Sequence, residues 1–176
     1  DQQLTVFPEG QVTGRLMTNA GRTRSFGGEA SLLATLWRNL DLQVAYGYTR
    51  ATFVKFDTGK ADYAGNFIPY APQHTLYAGA SYTLRTSWNW LEYVIFRVAA
   101  NGAGRIYWNE ANTFSQPFYA LLEASIRFEH RHWAVDVWGR NLTDTRYDTF
   151  YFMSIGNSFL QRGRPRTFGV SLSITL

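Results

Sequence analysis

The feature that most constrains this chain is apolar residues at every second position, sustained over long runs. Leu42, Val44, Tyr46 and Tyr48 alternate with Gln43, Ala45, Gly47, Thr49 and Ala51. Phe118, Ala120, Leu122, Ala124, Ile126 and Phe128 alternate with Tyr119, Glu123, Ser125 and Arg127. At the end of the chain Phe168, Val170, Leu172, Ile174 and Leu176 alternate with Thr167, Gly169, Ser171, Ser173 and Thr175. Successive strand side chains point to opposite faces, so each run has one apolar face and one small or polar face. Weaker forms occupy 22–37, 74–84, 91–104 and 133–143. Seven strands of 11 to 16 residues result. A tilted strand crosses a bilayer in about 9–11 residues, whereas globular strands average about 5–6. The expected fold class is all-β, a segment of an antiparallel transmembrane β-barrel.

The connections support that reading. Intervals 38–41, 85–90 and 129–132 hold 4, 6 and 4 residues, and intervals 7–21, 57–73, 105–117 and 144–165 hold 15, 17, 13 and 22. Short and long alternate strictly, as the periplasmic turns and extracellular loops of outer-membrane barrels do. The final strand then runs downward and places Leu176 in the periplasm. Trp37, Trp88, Trp90 and Trp133 fall at short-turn ends, where an interfacial aromatic girdle belongs. Composition agrees: 17% of residues are aromatic and only 17% charged, yet mean hydropathy is −0.25. A polar lumen cancelling an apolar exterior produces that average.

Several classes fall away. The absence of cysteine removes disulfide frameworks, thiolate zinc sites and Cys nucleophiles. No 18-residue apolar run exists for a transmembrane helix. The net charge of 17 − 13 = +4 comes from cations scattered from Arg15 to Arg166, which is not a nucleic-acid footprint. His74, His130 and His132 show no metal spacing; His74 is the one conceivable axial haem ligand. No G-x-S-x-G or Ser–His–acid constellation supports an enzyme such as an acyl hydrolase. No cofactor is expected.

Strand counting shows that the sheet is incomplete. Asp1–Val6 can be only the tail of a strand, because Pro8 and Gly10 interrupt it. Seven strands and a stub do not make the even number of a single-chain barrel, and open edges are not tolerated in lipid. Residues 1–176 are therefore expected to be a piece of a larger barrel. The chain opens at Asp1 without initiator Met or signal peptide, as a processed or excised piece would.

Four motifs carry a family resemblance. Ser25-Phe26-Gly27-Gly28-Glu29 resembles S-x-G-x-E, and Pro69-Tyr70-Ala71-Pro72-Gln73-His74 resembles P-x-x-P-x-H. Asn141-Leu142-Thr143-Asp144-Thr145-Arg146-Tyr147 is similar to N-L-x-D-x-x-Y, and Gly163-Arg164-Pro165-Arg166 to G-x-P-R. In this order they resemble the C-terminal part of the TonB-dependent outer-membrane receptors over about 22–176. The resemblance implies a 22-stranded barrel in the outer membrane of a Gram-negative bacterium, with an N-terminal plug. It implies TonB-energised import of a scarce nutrient, most often a ferric siderophore or other iron chelate, with haem or cobalamin as alternatives. Residues 1–176 would be the C-terminal barrel portion, lacking the plug and the TonB-contacting segment. Thr167, Gly169, Leu172 and Ile174 retain the assembly signal read by the β-barrel assembly machinery, although Leu176 stands where the family usually has Phe or Trp. The alternative from another class is a self-standing small barrel with a structural or adhesive role.

Strand parity sends Glu29, Arg97, Glu123, Arg127, Asp136 and Arg140 to the lumen, since a midplane Arg facing lipid costs about 2–4 kcal/mol. A hairpin turning over 129–132 sets Asp136 diagonal to Arg127 and Glu123 in an ion-pair ladder. Such a mixed set reads first as a structural network, and second as a plug-docking surface or polar substrate path. In the long loops Arg105, Tyr107, Trp108, Phe114, Phe150, Tyr151, Phe152 and Arg162 are the ligand candidates. Aromatics with Arg suit an anionic, partly aromatic small-molecule chelate, while loop packing or a rim girdle is the plainer reading. Outer-membrane lipids are the other expected partner.

Overall fold

The computed structural model describes residues 3–6, 16–19, 21–59, 61–154 and 156–175. Among them there is no helix. The main body is one antiparallel sheet of seven strands, β3 (Arg22–Leu36), β4 (Leu40–Lys55), β5 (His74–Trp88), β6 (Leu91–Ala103), β9 (Tyr119–His130), β10 (Trp133–Arg140) and β13 (Thr167–Ile174). Their order across the sheet is β13-β10-β9-β6-β5-β4-β3. Each strand pairs with its neighbour in the sheet's chain order, a pure up-and-down meander. The outer edges of β3 and β13 carry no partner among the described residues, so the sheet does not close on itself.

Period-two alternation becomes two faces because the register keeps parity across every strand. Leu32, Val44, Ala78, Ala100 and Leu122 form one cross-strand row. Phe128, Val135 and Leu172 form another on the same face. Much of this apolar face has no protein cover: Leu32 is 62% exposed and Val170 67%. An apolar surface of that extent is what lipid rather than water solvates. The opposite face carries the row Asp41, Ser81, Arg97, Ser125 and Trp138.

The strand ends differ from the expected ones in physically readable ways. The short connections are tighter, Trp37–Asn39, Asn89–Trp90 and Arg131–His132, with strand pairing running almost to the tip of each. Trp37 adopts a left-handed φ of 54° to close the first. Trp88 and Trp90, two of the four tryptophans expected at this rim, stack with ring centroids 5.3 Å apart. Two strands are shorter than the 11-residue minimum expected: β10 and β13 have 8 residues each. β10 stops because Asn141 turns into a left-handed conformation at φ 49°. β13 bonds one residue further, Thr175 N to His132 O at 2.9 Å; Leu176, and with it the expected periplasmic end, lies outside the described residues.

The long intervals are folded rather than irregular. The stub is confirmed as strand β1 (Gln3–Val6), paired with β2 (Leu16–Asn19) inside the interval expected to be loop. Short ribbons β7 (Ile106–Tyr107) with β8 (Ser115–Gln116), and β11 (Asp148–Ser154) with β12 (Asn157–Arg162), occupy the third and fourth long intervals. In the second, Phe53 and Phe56 form a small buried core with Tyr63 and Ile68 against them. That burial explains why β4 runs on past Thr52 to Lys55.

Candidate functional site

Two surfaces concentrate the chemistry: the loop cluster at one end and the polar face of the sheet. The loop cluster is organised by Tyr70, held at φ 64°. Its backbone N–H donates to Tyr107 O at 2.8 Å, and its hydroxyl donates to Tyr151 O at 2.9 Å. Its ring stacks on Phe150 at 5.6 Å and lies 5.5 Å from Trp108. Phe114 stacks on Tyr151 at 4.9 Å, and Phe152 on Phe159 at 4.9 Å. Asn112 ties the second loop to the third, accepting from Phe67 N at 2.7 Å and donating to Phe67 O at 2.9 Å. Gln116 is buried and accepts from Asp148 N at 2.9 Å, which ties the third loop to the fourth.

Trp108, Phe114, Phe150 and Tyr151 are thus brought into one aromatic body, whereas the Tyr107 ring turns away from it and stacks on Phe67 at 5.5 Å. Trp108 and Tyr151 are buried in it, while Phe114 and Phe150 keep exposed ring surface. Arg105 and Arg162 are exposed. Sequence reasoning missed Tyr70, Asn112 and Gln116 as organisers. Tyr70 lies within a noted motif, but its hub position depends on loops distant in sequence. Neither Asn112 nor Gln116 carried any local signal.

On the polar face the expected ladder is replaced by a different arrangement. The turn holds two residues, Arg131 and His132, so His130 pairs with Trp133 and Arg127 stands directly opposite Asp136 rather than diagonal to it. Arg127 bonds instead to Glu129, two residues along its own strand face, at 2.8 Å. Glu123 accepts from Asn101 Nδ2 at 2.7 Å, and the Arg140 guanidinium lies 4.8 Å from the Trp138 ring centre. Asp136 Oδ1 is buried without a hydrogen-bond partner among the described residues. Arg97, Glu123, Asp136 and Arg140 border one concave hollow of about 580 Å³ on this face. Arg127 does not border it; Glu29 faces Gly47 and Thr75 along the adjoining wall, beside a second hollow.

His74 shares the apolar face with Tyr46 and Tyr48 by register. Its Nδ1 is 2.7 Å from Tyr46 Oη and its ring 5.2 Å from that of Tyr48. The conceivable haem ligand therefore belongs to the outer aromatic belt. No group of three or more metal-ligating side chains occurs among the described residues.

The end motifs form one unit. Asn141 is buried, accepts from Thr145 N at 2.9 Å and donates to Thr145 O and Arg164 O at 3.0 Å each. Asp144 accepts from Arg166 N at 3.0 Å. Gly163 lies directly under the Tyr147 ring, where any side chain would collide.

The sequence model described as TonB dependent receptor-like, beta-barrel, matches residues 1–142. The chain belongs to the TonB-dependent receptor family. It is 27% identical over 180 residues to the pesticin receptor of Yersinia enterocolitica, covering 99% of this chain and 25% of that receptor. Its fold is similar to the ferric yersiniabactin uptake receptor FyuA from Yersinia pestis, with a TM-score of 0.78, 23% identity, and coverage of 90% of this chain and 24% of that one. BauA, the ferric preacinetobactin receptor from Acinetobacter baumannii, matches with a TM-score of 0.71 and 19% identity, covering 97% and 25%. The chain thus spans about a quarter of the length of these relatives. Family membership places this chain in the Gram-negative outer membrane, and members of the family are receptors rather than enzymes.

Proposed function

We propose that the full receptor imports a ferric siderophore or similar iron chelate, energised by TonB. In this reading residues 1–176 are the C-terminal portion of the barrel, and the plug and TonB-contacting segment belong to the rest of the receptor. The observation that carries it is the match over 99% of the chain to a pesticin receptor, joined by a fold shared with a ferric yersiniabactin uptake receptor. The loop cluster supports the same reading. Exposed Arg105 and Arg162, with the exposed rings of Phe114 and Phe150, offer ion pairing and stacking to an anionic chelate. Trp108 and Tyr151 hold that platform from beneath. The inner-face residues Arg97, Glu123, Asp136 and Arg140 serve as the wall that a plug covers, with Glu29 and Arg127 beside them. The C-terminal strand, through Thr167, Gly169, Leu172 and Ile174, is the segment read by the assembly machinery.

The deciding experiment is equilibrium binding of the full-length receptor to ferric siderophores, haem and cobalamin in parallel. Saturable binding of a ferric siderophore, with loss of growth under iron restriction when the gene is deleted, is expected. Saturable binding of haem or cobalamin alone would overturn the cargo assignment. The open edges of β3 and β13 count against a self-standing small barrel.

A further inference from the structure

We infer that the outer face of β3 and β4, just above the apolar band, is a binding site for the phosphate groups of an outer-leaflet glycolipid. Arg24 and Phe26 share the face of Leu32 by parity on β3, and Arg50 shares the face of Val44 on β4. The register places Phe26 opposite Arg50 and Arg24 opposite Thr52, so the two guanidinium stems are diagonal neighbours. Each cation lies against a ring: Arg24 is 5.8 Å from the Phe26 centre, and Arg50 is 5.9 Å from that of Phe67. Phe67 bridges Thr52 from the other side, which keeps it on the same face. Arg22 and Lys55 stand opposite each other at the same end. All four cations are exposed, and none forms a salt bridge with a carboxylate of the described residues.

Height decides what this patch meets. Arg50 is ten residues above Leu40 at the turn end of β4. At about 3.4 Å per residue and a tilt near 40°, that is roughly 26 Å, against an apolar band about 25 Å tall. Arg24, twelve residues above Leu36 on β3, stands higher still, at roughly 31 Å on the same arithmetic. Both therefore emerge at headgroup level on the lipid side. Guanidinium forks match phosphate oxygens bidentately, and a ring beneath each restricts where it can point. The inference depends on the outer-membrane placement and is independent of which cargo the receptor carries.

The test titrates detergent-solubilised full-length receptor with diphosphoryl lipid A, its dephosphorylated form and inorganic phosphate, read by native mass spectrometry. Binding of the diphosphoryl lipid above the dephosphorylated one is expected. About fivefold weaker binding is expected for R24Q or R50Q alone and roughly 25-fold for the pair, from the usual contribution of one surface cation facing anionic lipid. R24K/R50K should recover part of the loss, and R38Q, at the opposite rim, should bind as wild type. Heat-modifiable gel mobility confirms that each variant is a folded barrel, and the single variants serve if the pair does not fold. Unchanged lipid binding by folded R24Q and R50Q would overturn the site. So would equal displacement by inorganic phosphate at matched concentration, which would mark a simple anion site rather than a lipid one.

Discussion

Asn141 shows how much one side chain can determine in this fold. It leaves β10 in a left-handed turn and bonds both Thr145 and Arg164 from a buried position. Three neutral hydrogen bonds contribute about 3 kcal/mol in total. Asn141→Ala in the full receptor is therefore expected to lower the temperature of heat-modified gel migration, with Asn141→Asp intermediate because only the acceptor survives. Gly169 is a second such position, since the Trp138 ring lies over it and donates to Ser171 Oγ at 3.1 Å. Gly169→Val should displace that ring and reduce assembled receptor in outer-membrane fractions; normal assembly would count against the close packing. The motifs containing Asn141 and Gly163 were legible in the sequence as separate signatures. That they bond to each other was not, because nothing local encodes a contact across twenty-three residues of folded loop.

For the strands, parity was the readable quantity and register was not. Alternation alone assigned Val44, Leu122, Val170 and Leu172 to one face, and the cross-strand rows agree. Cysteines placed there in the full receptor are expected to react with lipid-phase labels, and cysteines at Gln43 and Ser171 with aqueous reagents only. The reverse pattern would invert the inside and outside of the sheet. The partner of Asp136 was misplaced by two residues, Ser125 for Arg127, because a hairpin's register depends on where the backbone reverses, here between Arg131 and His132. An alternating sequence fits several reversal points equally well. The length of β10 was overestimated for a related reason, since alternation does not mark the turn that the backbone makes at Asn141.

On the scale of the whole molecule, loop lengths gave the two ends of the sheet, but not that the loops would join. Tyr70, Asn112 and Gln116 link three of them by hydrogen bonds between residues 32 to 81 positions apart, a separation that composition and periodicity do not address. Loop 144–165 is expected outside the cell. A protease site inserted near Gly156 should be cut in intact cells, and resistance in a properly assembled receptor would oppose that orientation. Removing Arg105 and Arg162 together should weaken chelate binding about tenfold or more, as charge-assisted contacts to a ligand do, with barrel stability unchanged. The meander carries one more consequence. Because Val44, Ala78, Ala100 and Leu122 stand in a single row, excising the hairpin β5–β6 would bring Val44 beside Leu122 with strand direction and facing both preserved. The sheet is thus modular in pairs of strands: whole hairpins can be gained or lost without turning any remaining residue from lipid to lumen, whereas a single strand cannot.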